Sequence, residues 1–196
     1  VIASKYMDGK SPNERLKREN LRAFYSGLIL FAIASSILFT PLPIFFSKEL
    51  SLPASIIFAI YTLNSSGGVV GYFLAWRQSN QTTEKSHINK IVIFRSMLAF
   101  LLMAATQKLV YSVVLATTIL ILMGFVYAFF LVYTLSLSME LIPAGKAGLF
   151  NVLLGIGGAS GSFIGPLLAQ NFGFVYGFLI SGIIFFLAYL AFKIFA

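Results

Sequence analysis

Residues 173–195 read GFVYGFLISGIIFFLAYLAFKIF, and no charge appears among them until Lys193. A helix needs about 20 apolar residues to cross the hydrocarbon core of a bilayer, and this run supplies them. Five similar runs precede it, so the apolar segments fall at about 22–46, 53–76, 89–107, 109–139, 146–170 and 173–195. Strands of a membrane barrel would be half as long and would alternate polar with apolar residues, which these runs do not. Of 196 residues 59% are hydrophobic and only 10% charged, with 21 Phe and 9 Tyr. A soluble domain of this size has too little interior to hide them. The expected fold is an all-α membrane protein of six transmembrane helices.

The formal charge of +8 would suit a nucleic-acid binder if the basic residues were scattered over one face. They are sorted by connector instead. Lys5, Lys10, Arg15, Lys17, Arg18 and Arg22 precede the first span, and Arg77, Lys85, Lys90 and Arg95 flank the second-to-third connector. Lys146 and Lys193 fall on the same side, and only Lys48 and Lys108 on the other, twelve against two. Basic residues accumulate in cytoplasmic loops, so both termini are expected in the cytoplasm and the protein in the cell membrane, with no nucleic-acid partner. The polar segment 1–20 reads as a cytoplasmic linker, and a chain that opens on Val1 reads as cut from something longer. No signal-peptide core is visible there, and the absence of Cys removes disulfides and thiolate metal sites.

Proline and glycine punctuate the spans. Pro41 and Pro43 are expected to bend or stop the first helix, Ser51 and Pro53 to start the second, and Pro143-Ala144-Gly145 to break the fourth. The connector 78–89 is polar and carries the single histidine, His87, read as a solvated loop residue. Spans two and five share a spacing: Gly67, Gly71 and Ala75 lie four apart, as do Gly161, Gly165 and Ala169. Small residues four apart share a helix face and admit a second backbone closely. The two patterns sit in the middle helix of each half of the chain and run in opposite directions, as a three-plus-three inverted repeat requires.

The segment from Glu140 through Pro143, Lys146 and Gly148 to Asn151, continuing to Gly161, Gly165 and Pro166, resembles the entry to the eleventh helix of major facilitator superfamily transporters. There an acidic residue, a proline, a basic residue and a glycine precede a glycine-rich helix with Gly-Pro. The resemblance makes the six spans helices seven to twelve, the C-terminal half of such a transporter, with the N-terminal six-helix half as partner. It also implies that spans two and five line the contact between halves, so the stripes Gly67, Gly71, Ala75 and Gly161, Gly165, Ala169 become inter-bundle packing. Residues 71–77 resemble a worn copy of the family's cytoplasmic signature, with Ala75 where an acid is usual and Arg77 as the remaining basic residue.

Polar residues inside apolar spans are the candidate pathway, because hydrocarbon does not tolerate them unpaired. On span two Tyr61, Asn64 or Ser65, Gly68 and Tyr72 make a polar and small stripe; Ser35, Ser36 and Thr40 make one on span one, and Tyr127, Tyr133 and Thr134 on span four. Ser and Thr can instead bond the carbonyl of their own preceding turn. The substrate-pathway residues are therefore taken as Ser36, Thr40, Tyr61, Asn64, Ser65 and Tyr127, and their neutral, aromatic character suits a neutral or amphiphilic small solute. Glu140, Lys146 and Arg95, read near the cytoplasmic ends, form a candidate gate that breaks when the cavity opens inward.

Gly158-Ala159-Ser160-Gly161 resembles the Gly-x-Ser-Gly of rhomboid proteases, but no histidine follows Ser160 to act as its base. No phosphate-cradling loop or metal-ligand cluster is present, and no cofactor or catalytic residue is expected. The leading expectation is half of a secondary transporter working by alternating access in the lipid bilayer. The alternative is a self-contained six-helix membrane protein acting as a homodimer or scaffold, with the glycine faces as dimer contacts.

Overall fold

A computed structural model describes residues 21–79, 85–106, 112–141 and 148–195. Among these the chain is helical, without strands: α1 Leu21–Phe39, α2 Leu42–Lys48, α3 Ala54–Ser79, α4 Lys85–Thr106, α5 Ser112–Leu141, α6 Leu149–Phe172 and α7 Phe174–Phe195. With α1 and α2 counted as one broken span, six helical spans are long and apolar enough to cross a membrane. The chain is thus a multi-pass helical membrane protein.

The punctuation falls where proline chemistry demands it. Pro41 lacks an N–H and begins α2, whose first turn closes with Phe45 N–H donating to Pro41 O at 3.0 Å. Ile56 and Ile57 donate to Pro53 O, so α3 starts on that carbonyl, and Ser51 ahead of it holds a left-handed φ of 51°. A single residue, Gly173 at φ 89°, separates α6 from α7. Only glycine adopts that backbone without strain, which permits so short a turn.

Two expectations about boundaries change. Helix α4 begins at Lys85, four residues before the apolar run, because the polar residues ahead of it still extend the backbone ladder. His87 is consequently a helical, half-buried residue stacked on Tyr133, ring centroids 5.7 Å apart, and not a loop residue.

The helices pair as follows: α3 lies along α5, α1 along α6 and α7, α4 between α5 and α7, and α6 more loosely against α7. Aromatic rings fill the centre. Phe31 stacks on Phe130 with centroids 3.5 Å apart and meets Phe185 edge-on at 5.3 Å. The outside is apolar as well: Phe58, Val69, Phe73, Val114, Phe163 and Ile194 are all exposed. An aqueous protein avoids such a surface, whereas lipid tails solvate it.

The glycine stripes pack within this chain, which corrects their assignment to a partner bundle. A Cβ on Gly67 would stand 2.6 Å from Ile121 O, and one on Gly71 2.6 Å from Phe125 O. Gly161 is closed off in the same way by Ile33 O, and Gly165 by Ile37 O at 2.9 Å. Gly71, Ala75, Gly161 and Gly165 are buried, with Gly67 and Ala169 partly so. The reason is geometric: side-chain-free edges let α3 and α6 touch the backbones of α5 and α1 directly.

Candidate functional site in the middle of the bundle

Gly124 of α5 is the point from which the site is built. A Cβ there would run into the main-chain oxygen of Asn64 and come within 2.9 Å of its Nδ2. Glycine therefore lets Asn64 settle onto α5, where Nδ2 donates to Leu120 O at 2.5 Å. One turn further along α5, the guanidinium of Arg95 arrives from α4, and Nη1 donates to Met123 O at 3.0 Å. Rings surround the same cation. Its Cζ lies 5.0 Å from the centroids of Phe31 and Tyr127, 5.3 Å from Phe185 and 5.7 Å from Phe39. Aromatic faces carry negative electrostatic potential, so the cage attracts the cation without a carboxylate.

Beside this cage lies a cavity of about 290 Å³, lined by Ser35, Ser36, Phe39 and Thr40 of the first span, Asn64, Arg95, Met123, Gly124 and Tyr127. Two of its polar atoms, Ser35 Oγ and Arg95 Nε, are buried without a hydrogen-bond partner. Near it, Tyr61 donates to Phe39 O at 3.3 Å and Thr40 donates to Ser162 Oγ at 3.3 Å. Asn64 and Arg95 are each the eleventh residue of their helices, and Met123 the twelfth. At 1.5 Å per residue that is about 15–18 Å from each helix start, near the middle of a hydrocarbon core about 30 Å thick.

Of the pathway residues expected from sequence, Ser36, Thr40, Asn64 and Tyr127 line this one cavity, and Tyr61 braces its edge. Ser65 is exposed and stands apart from the lining. Thr134 donates to Phe130 O at 2.6 Å, the preceding turn of its own helix.

The proposed gate does not assemble around Arg95. Arg95 is only 1% exposed and sits mid-span, not at a helix end. It is bonded at Met123, and Glu140 lies seventeen residues further along α5. That separation is about 26 Å of helix, far beyond the reach of an arginine side chain. Glu140 itself is exposed, and Lys146 lies outside the described residues. Phe39, Met123 and Gly124 are cavity residues without a role expected from sequence, while Ser35 was placed only in the first-span stripe and Arg95 only in the gate. For Arg95 a signal existed: a charge seven residues inside an apolar run is a functional candidate unless its helix ends there.

Ser160 is exposed on α6, and the one histidine is occupied against Tyr133. Among the described residues no cluster of His, Cys, Asp and Glu is arranged to hold a metal ion. Comparison with protein-family models, with curated proteins and with solved structures finds no match for this chain.

Proposed function

We propose that this chain is a six-helix half of a secondary transporter of the major facilitator type, moving a small solute by alternating access. One observation carries the reading: the glycine edges of the second and fifth spans rest on the fourth and first spans at equivalent positions. Helix α1 packs on α6 and α7, and α5 packs on α3 and α4. Gly67 and Gly71 rest on Ile121 and Phe125 carbonyls, while Gly161 and Gly165 rest on those of Ile33 and Ile37. Both glycine pairs are 94 residues apart (161 against 67, 165 against 71), and both carbonyl pairs 88 apart (121 against 33, 125 against 37). Polar cross-links join the equivalent helix pairs, with acceptors one residue out of that register (123 against 34, 89 apart). Arg95 donates from α4 to Met123 O of α5, and Ser181 from α7 to Ala34 O of α1 at 2.9 Å. Ser96 joins α4 to α7 through Gly182 O, between the two sets.

These matched contacts support a three-plus-three inverted repeat, which, with a cavity holding polar groups near the bilayer midplane, is the architecture of many alternating-access carriers. The opposite half, or a second copy, would complete the solute pathway. Its contact surface would be the open faces of α3 and α6, since their glycine edges are already occupied. Basic-residue bias, now eleven against two without Arg95, supports cytoplasmic termini.

This chain carries no Cys, so a single introduced thiol reports on it once any Cys elsewhere in the intact protein is replaced. Intact protein carrying Ser36→Cys, reconstituted in vesicles, should react with an impermeant maleimide from either membrane face, and solute-loaded vesicles should show counterflow. Labelling from one face only under every condition, with no counterflow, removes the reading.

A further inference from the structure

The Arg95 guanidinium is a full positive charge at mid-span, a position that a bilayer interior penalises heavily. A main-chain oxygen and four ring faces surround it. The acidic side chains among the described residues, Glu49 and Glu140, are both exposed at helix ends. Ring faces attract a cation but accept no strong hydrogen bond, and a guanidinium presents five N–H groups. Nη1 is engaged at Met123, and Nε has no partner. The edge formed by Nε and Nη2 is the side-on fork that receives a carboxylate with two parallel hydrogen bonds. Ser35 Oγ, also without a partner, lines the same cavity.

We propose that the cavity binds a small organic monoanion, with its carboxylate on the Nε edge of Arg95 and its apolar body against Phe39 and Tyr127. One cation calls for one negative charge; a dianion would leave a net charge buried. The lining favours a body with apolar surface over a bare inorganic ion. A volume of about 290 Å³ equals the liquid volume of roughly ten waters, enough for a single ring or a short chain beside the carboxylate. This replaces the neutral solute expected from the sequence, since Arg95 was not counted in the lining there. The assignment rests on the transport reading only for what crosses the membrane; binding is separable from it.

The test uses purified intact protein in detergent, with benzoate as probe and benzamide as its neutral counterpart. Benzoate should raise the unfolding temperature saturably and benzamide should not, while chloride competes poorly. Arg95→Gln should weaken benzoate binding about tenfold or more, with Arg95→Lys in between. Ser35→Ala should weaken it by a smaller factor. Should Arg95→Gln fail to fold, the benzoate–benzamide pair and Ser35→Ala carry the decision alone. No benzoate shift, equal shifts by benzoate and benzamide, unchanged affinity in a folded Arg95→Gln, or chloride competing as well as benzoate overturns the proposal. Benzoate binding without counterflow would leave the site standing and remove the transporter, whereas counterflow of neutral solutes without benzoate binding would do the reverse.

Discussion

Arg95 Nη1 and Met123 O, 3.0 Å apart, tie the middle of α4 to the middle of α5 and set the only mid-span charge of the described residues beside the cavity. The rings of Phe31 and Tyr127 flank that bond. A buried cation with a single strong acceptor contributes little to stability, because its desolvation outweighs what one carbonyl and several ring faces return. Arg95→Met keeps the stem and its packing. The unfolding free energy of this variant should stay level or rise by about 1–2 kcal/mol, while solute binding is lost. A clear drop in thermal stability in detergent would make Arg95 a structural residue.

Gly71 and Gly155 offer a matched pair. Gly71→Ala drives a methyl into Phe125 O and should cost about 1–3 kcal/mol by forcing α3 off α5. Around Gly155 a Cβ meets nothing within 4 Å. Gly155→Ala should therefore gain up to about 1 kcal/mol through helix propensity. Equal melting temperatures for the two variants would contradict the packing described for α3 on α5.

Asn64 holds α3 to α5 by a hydrogen bond inside the cavity wall. Asn64→Ala should lower stability by about 0.6 kcal/mol, the usual size of an interhelical hydrogen bond in a membrane. Its effect on solute affinity should be larger than its effect on stability, since the amide also lines the cavity. Affinity left unchanged in that variant would remove Asn64 from the solute pathway.

Ser51 holds a left-handed backbone, φ 51°, between α2 and α3. Glycine takes that conformation without the Cβ clash, so Ser51→Gly should stabilise the protein by up to about 1 kcal/mol. Chemical unfolding of the two forms side by side measures it, and a loss of stability would mean that the Ser51 side chain makes a contact worth more than the strain.

Much of this fold was legible along the chain. The apolar runs gave six spans because hydrocarbon thickness sets a length that a sequence displays directly. Pro41 broke the first span where its own covalent chemistry requires it. The polar residues Ser36, Thr40, Asn64 and Tyr127 were found because a hydroxyl or amide stands out within an apolar span. The glycine spacing was also visible, but spacing says only that a close approach occurs and not which helix approaches. Gly71 could have met another bundle, and it meets Phe125 of this one. Arg95 was misread for a related reason: hydropathy marks where apolar residues start, whereas α4 starts four residues earlier, at Lys85.

The amino-acid sequence by itself determined that this chain lives in a bilayer, how many times its helices can cross, and where they bend. Those properties depend on transfer energy and backbone geometry summed over neighbouring residues. Tertiary structure alone decided that Ser35, Asn64, Arg95 and Tyr127 share one cavity and that the glycine edges close inward. Contacts between residues far apart in the chain are set by which surfaces fit, and no local property of the sequence encodes that fit.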